Sequence, residues 1–265
     1  MFEYQFMING FIAILLITPL FGLMSTMVVS NRMAFFSDSL GHGAFSGIAI
    51  GALLGSTSPM ISLIIFSIAF ALLITYIKNR TRTGADTVIG VFSSTAIAIG
   101  LMIMSAGGSF NKFSTYLIGD LLSISKSDLI SLAIVFLIVV FIWSMLFNQL
   151  LVLSINQSFA RSRGISTFKV ESIFASILAV IVAISIQWVG ILIINAMLVL
   201  PAAAARNITQ DVKRYHLASI SFALLSGLSG LVTAYYLNTA AGATIVVISS
   251  IIYFITLALK LNFFK

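Results

Sequence analysis

Long apolar segments alternate with short polar connections along the whole chain. Each runs for about 20 residues without the strict alternation of a barrel strand, so the pattern predicts membrane-spanning helices. The segments are 7–29, 33–55, 58–77, 86–106, 127–148, 168–188, 190–205, 214–237 and 243–261. We expect nine spans, although eight spans plus a broken helix near Trp188 and Gly190 fit nearly as well. The predicted fold class is therefore all-α, a polytopic helical membrane protein.

The composition supports the same interpretation. Of the 265 residues, 60% are hydrophobic and 8% are charged, and the mean hydropathy is +1.15. Because soluble domains carry about 25% charged residues, most of the surface of this chain must face lipid. Residues 1–265 are therefore expected to form a single transmembrane domain. The chain has no cysteine, which excludes thiolate metal sites, disulfides and iron–sulfur clusters from within it.

The distribution of positive charge predicts an orientation. Loops on the cytoplasmic side carry the excess of lysine and arginine, and an outside N-terminus places twelve of the fourteen basic residues inside. The twelve are Arg32, Lys78, Arg80, Arg82, Arg161, Arg163, Lys169, Arg206, Lys213, Arg214, Lys260 and Lys265; only Lys112 and Lys126 fall outside. We therefore expect a multi-pass bacterial inner-membrane protein with a cytoplasmic C-terminus. Since the net charge of +7 serves orientation, we expect no nucleic-acid partner.

Asp38 and His42 are the carboxylate and the imidazole that lie well inside a predicted span. An ionisable group inside a membrane is unfavourable and by default suggests function. A spacing of four residues puts both side chains on one helical face, about 6 Å apart. Counted from Arg32 at about 1.5 Å per residue, they lie roughly 9 and 15 Å into the membrane.

Two interpretations of this pair remain open. Aspartate and neutral histidine are good zinc ligands, whereas manganese prefers more oxygen, and a two-fold dimer would supply the four ligands that zinc prefers. Metal binding requires both groups deprotonated, so acidification is expected to weaken it. Alternatively, Asp38 and His42 hydrogen-bond each other or a neighbouring helix and have no other role.

Several other features have structural explanations. Gly43, Gly47, Gly51 and Gly55 form a stripe that lets another helix approach closely. Asp86 and Glu171, at the starts of spans, are expected to cap helices. Asp120 and Asp128 on the outer side are either solvated or docking charges. The stretch 113–122 predicts a short interfacial or re-entrant helix, and Pro201 a kink.

The polar, basic stretch 154–169 predicts a short surface helix broken at Gly164, either a solvated connector or a socket for a cytoplasmic partner. No GxxxxGK[ST] phosphate loop occurs in the sequence, so the chain is not expected to hydrolyse ATP by itself. No nucleophile motif, HExxH or catalytic carboxylate pair stands out either. The motifs of the sequence therefore give no support for an enzymatic function.

Five stretches together resemble the permease subunit of metal-ion ABC importers, the zinc and manganese uptake family. They are RMAFFSDSLGHGAFSGIAIG (32–51), GADTVIGVFSSTAIAIGL (84–101), STYLIGDLLSISKSDL (114–129), WVGILIINAMLVLPAAAAR (188–206) and NTAAGATIVV (238–247). The resemblance implies the ABC importer permease fold, with two permeases, two cytoplasmic ATPase subunits and an external metal-binding protein. It assigns the metal to Asp38 and His42, and a coupling helix to the region of Arg161 to Gly164.

The resemblance also bears on which metal ion is transported. The YLIGDLL block is closer to zinc than to manganese permeases, so zinc is favoured, as a transported ion and not as a covalently bound cofactor. The chain departs from the family at Gly41, often alanine or serine, and lacks a proline near NTAAGAT; neither departure touches the two ligands. A secondary ion-coupled transporter and an ABC permease for a larger metal chelate remain alternatives, whereas an intramembrane enzyme lacks the residue pairings.

Overall fold

The computed structural model describes residues 4–55, 59–81, 83–106 and 119–263. These ranges form ten helices and a 3₁₀ turn at Leu121–Ser123, and contain no strand. The helices are α1 Gln5–Ser30, α2 Ala34–Leu53, α3 Pro59–Arg80, α4 Ala85–Ala106, α5 Lys126–Ile155, α6 Gln157–Ser162, α7 Thr167–Val189, α8 Ile191–Ile208, α9 Val212–Leu237 and α10 Ala241–Phe263. Each of the nine predicted spans corresponds to one long helix, so the all-α fold class is confirmed.

Seven of these helices are long and apolar enough to cross a membrane: α1, α3, α4, α5, α7, α9 and α10. The apolar part of α8 is shorter, and α2 carries Asp38, His42 and several serines and glycines among its apolar residues. The predicted short interfacial helix at 113–122 falls mostly outside the described residues, which resume at Gly119.

The junction near Trp188 is a single-residue break between two helices. Gly190 ends α7 and precedes α8, with a φ of +86°. Gly119, with a φ of +76°, packs directly on this break, where an added Cβ would lie 2.4 Å from the backbone nitrogen of Gly190. The amide of Asp120 also donates to the carbonyl of Gln187 at 3.2 Å. α7 and α8 are therefore two separate helices, and α8 continues through Pro201 to Ile208.

Positive charge collects at one end of the bundle, which we call the basic end. Here α1, α3, α5, α8 and α10 finish, and α2, α4, α7 and α9 begin. Of the eleven lysines and arginines in the described ranges, ten lie at this end: Arg32, Lys78, Arg80, Arg161, Arg163, Lys169, Arg206, Lys213, Arg214 and Lys260. Lys126 begins α5 at the opposite end. The helix directions thus separate the charges as the sequence predicts.

Close contacts through small residues hold the bundle together. α1 and α7 are the most buried of the long helices. α1 packs on α9 at Gly22, where a Cβ would meet the Cα of Ile220 at 2.8 Å. α2 packs on α3 through Gly43 and Gly47, which lie under the rings of Phe70 and Phe66. The predicted glycine stripe is therefore a packing surface from Gly43 to Gly51, whereas Gly55 only ends the helix.

We expect Gly22→Ala to destabilise the protein. The new Cβ would press on the backbone of Ile220, which cannot rotate away, so α1 and α9 must move apart. Overpacking of this kind costs about 1–3 kcal/mol in free energy of unfolding, measurable as a lower melting temperature in detergent. Gly90→Ala in α4 is the matched control, because no atom lies within 4 Å of that position. Equal melting temperatures for the two variants would contradict the packing described here.

Candidate functional site

Asp38 and His42 lie one turn apart on α2, near its start at the basic end. His42 Nε2 is 3.7 Å from Asp38 Oδ1, which is too long for a hydrogen bond. The Asp38 side chain is 42% exposed, and the His42 side chain is 35% exposed. Among the described residues, neither has a hydrogen-bond partner on a neighbouring helix. The arrangement leaves the carboxylate and the imidazole free to bind something outside the chain.

The pair faces an open sector between two other helices. On one side, Ser37 Oγ donates to Asn195 Oδ1 of α8 at 3.0 Å, and Gly41 faces Ile191. On the other side, Ser46 Oγ donates to the carbonyl of Ala96 in α4. At about 100° of rotation per residue, Asp38 and His42 point between these two walls. The serines therefore fix the rotation of α2, and with it the direction of the pair.

This open face carries an aspartate and a histidine, two of the side-chain types that bind zinc. An uncompensated aspartate facing hydrocarbon costs about 2.5–3.5 kcal/mol or more, so lipid is an unfavourable neighbour for it. A closed zinc site uses four ligands, and no cluster of three or more His, Cys, Asp or Glu side chains occurs in the described part of the chain. A metal ion held by this pair would therefore need further ligands from beyond the described residues, such as another copy of the chain, water or a carrier.

The second histidine of the chain lies in a different environment from Asp38 and His42. His216 in α9 is buried, and its Nδ1 lies 2.8 Å from the carbonyl oxygen of Val212. The rings of Trp143 and Phe147 surround it. Its sequence position, five residues into a helix, did not indicate this burial. It packs the α5–α9 contact and takes no part in the open face of α2.

The acidic residues outside α2 have separate roles. The capping prediction holds for Asp86, which lies in the first turn of α4. It is wrong for Glu171, which lies beyond the first turn of α7 and forms an ion pair with Lys78 of α3 at 2.9 Å. Asp128 closes a capping box with Ser125 at the start of α5. Asp120 borders a cavity of about 450 Å³ at the end opposite the basic end.

The predicted surface helix in 154–169 is present as α6. Asn156 caps it by accepting hydrogen bonds from the amides of Ser158 and Phe159, at 2.8 and 3.1 Å. The helix ends at Ser162, and Gly164 follows with a φ of +75°. Phe159 is exposed, and the guanidinium of Arg163 lies 4.9 Å above its ring. α6 thus presents an aromatic and basic surface at the basic end.

The described residues thus form nine long helices, seven of them long and apolar enough to cross a membrane, with an acid–imidazole pair on an open face. Residues 3–260 match the family model described as the ABC 3 transport family, so the chain belongs to that family.

Curated relatives match over nearly their whole length. The chain is 29% identical to the high-affinity zinc uptake system membrane protein ZnuB of Haemophilus influenzae, covering 97% of this chain and 98% of the relative. It is 27% identical to the manganese transport system membrane protein MntC of Listeria monocytogenes, covering 96% and 90%. Among solved structures, PsaBC from Streptococcus pneumoniae in complex with Fab matches with a TM-score of 0.84 and 26% identity, covering 96% and 91%.

We expect a cysteine at position 42 to react with a water-soluble, positively charged methanethiosulfonate reagent. The natural chain has no cysteine, so a single introduced thiol reports its own surroundings. Ala44→Cys is the matched control, because Ala44 is fully buried in the same helix. His42→Cys should be labelled in membranes, and Ala44→Cys should not. No reaction at position 42 would contradict a water-accessible face.

Proposed function

We propose that this chain is the permease subunit of an ATP-driven importer for divalent metal ions, with zinc favoured and manganese next. The observation that carries the proposal is the pair of Asp38 and His42 on an open face of α2. The membership of this chain in the ABC 3 transport family supports the ATP-driven mechanism. Relatives named for zinc and for manganese transport support the cargo.

Two copies of the permease would complete the site. In a homodimer that brings the open faces of α2 together, the pair becomes two carboxylates and two imidazoles. Four such ligands suit zinc, while manganese would prefer a larger share of oxygen ligands. Contact between the two faces also removes the ionisable side chains from lipid. The dimer axis would then run through the translocation pathway.

The basic end of the bundle would face the cytoplasm, following the usual excess of lysine and arginine on that side. This orientation places the N-terminus outside and the C-terminus inside. It would also place α6 and the turn after it, a region that includes Arg161 to Gly164, on the side where a cytoplasmic ATPase subunit can dock. An external metal-binding protein would deliver the ion at the opposite end, near the cavity bordered by Asp120.

The side chains of α2 would act as a transient binding site during alternating access. An ion entering from the outer end exchanges water for the Asp38 carboxylates and the His42 imidazoles. Binding requires the imidazole lone pair and the ionised carboxylate, so both groups must be deprotonated. ATP binding and hydrolysis in the partner subunit change the access to this site, and the ion leaves at the basic end. The permease contributes ligands and a pathway and no covalent chemistry.

Replacing Asp38 or His42 with alanine should reduce uptake of zinc and manganese to the level of membranes without the permease. Each change removes half of the ligands supplied by one chain, while the helix contacts through Gly43 and Gly47 stay intact. Assembly with the ATPase subunit, measured by copurification, should therefore remain normal. Asp211→Ala, an exposed carboxylate at the basic end, is the matched control and should transport normally. Normal uptake by both α2 variants would remove the site assignment.

Uptake by vesicles containing this permease should require the ATPase subunit and ATP. A secondary ion-coupled transporter would instead need only this chain and an ion gradient. We therefore expect no uptake from purified permease alone under a proton or sodium gradient, and uptake once the ATPase and internal ATP are added. Gradient-driven uptake by the permease alone would favour the secondary transporter.

A further inference from the structure

One buried carboxylate joins three segments at the basic end. Glu171 of α7 is only 6% exposed, and both of its carboxylate oxygens are engaged. Its Oε2 lies 2.9 Å from the ammonium of Lys78 and accepts a hydrogen bond from Asn79 Nδ2 at 2.9 Å. Its Oε1 accepts a hydrogen bond from Gln157 Nε2 at 3.2 Å. Lys78 and Asn79 lie in the last turn of α3, and Gln157 begins α6, so Glu171 links both helices to α7.

The link to α6 is distinctive among the contacts of that helix. The remaining hydrogen bonds of α6, including those to its cap Asn156, stay within the local segment. Among the described residues, the contact from Gln157 to Glu171 is the side-chain hydrogen bond that ties α6 to another helix. A displacement of α6 therefore acts on the carboxylate of Glu171.

Glu171 is also connected, through α3, to α2, the helix that carries Asp38 and His42. α3 packs on α2 through Phe66 and Phe70, whose rings cover Gly47 and Gly43. These contacts leave no space for a side chain, so the two helices move together. A polar cavity of about 370 Å³, whose lining includes Arg32, Lys78, Gln157 and Glu171, borders the turn before α2.

We propose that Glu171 is a positioning residue that transmits movement of α6 through α3 to the metal-binding helix α2. The proposal rests on the proposed function, in which the ATPase docks on α6. A fully engaged carboxylate holds α3, α6 and α7 at fixed separations. Charge-assisted hydrogen bonds are stronger than neutral ones, so loss of the charge loosens α6 from α3 while keeping the side-chain volume.

Glu171→Gln tests this role in the full complex with the ATPase, reconstituted in vesicles. Uptake of radioactive zinc per ATP hydrolysed should fall about fivefold or more, in line with typical coupling between linked sites, while ATP hydrolysis continues. Hydrogen exchange of the α6 amides should become faster. The matched control is Asp211→Asn, which removes a carboxylate from an exposed ion pair with Arg214 at the same end. It should leave the uptake ratio and the exchange unchanged.

The double variant Lys78→Glu with Glu171→Lys distinguishes a positioning role of Glu171 from a purely stabilising role. The amides of Asn79 and Gln157 can turn to present oxygen to a lysine, so the link can form again and the uptake ratio should recover. An unchanged ratio in Glu171→Gln would overturn the proposal. A parallel loss of melting temperature, ATP hydrolysis and uptake, at constant ratio, would also overturn it in favour of a stabilising role. Failure of the wild-type complex to accumulate zinc or manganese would instead overturn the proposed function.

Discussion

The free energy of placing a carboxylate and an imidazole inside a membrane governs how this molecule must work. A lipid chain cannot solvate Asp38, and the described residues of the chain provide no partner for it apart from His42 at 3.7 Å. The structure therefore needs something else on that face of α2. In the proposed homodimer, a second copy with the same face and an ion between the two chains would satisfy both groups at once. Without that partner, the open face would be an unexplained defect in an otherwise well-packed bundle.

The rest of the fold serves to hold that face in place. Ser37 contacts Asn195 of α8, and Ser46 contacts the backbone of Ala96 in α4, which together set the rotation of α2. Phe66 and Phe70 of α3 close the opposite side against glycines. The helices packed around α2 thus leave one sector of it free. The same contacts make α2 respond as a rigid unit when α3 moves.

The sequence was sufficient for the positions of the long helices, because each apolar run is bounded by polar or glycine residues. It also singled out Asp38 and His42 as candidate ligands, since charge is rare in such a span, and the structure brings both to one open face of α2. Their role in metal binding stays a prediction. The sequence could not predict the partner of Glu171, because Lys78 is distant in the sequence and the position resembled a helix start. The burial of His216 and the contact from Ser37 to Asn195 were missed for the same reason: they depend on which helices become neighbours. Spacing along one helix is readable from the sequence, whereas pairing between helices is not.

In the proposed importer, the metal is shared between two chains through Asp38 and His42. X-ray absorption spectroscopy on zinc bound to the purified complex, combined with elemental analysis, tests it most directly. We expect one zinc for every two permease chains, with imidazole nitrogens from two histidines at about 2.0–2.1 Å. A zinc ion without histidine ligands, or zinc binding that persists unchanged in His42→Ala, would contradict it.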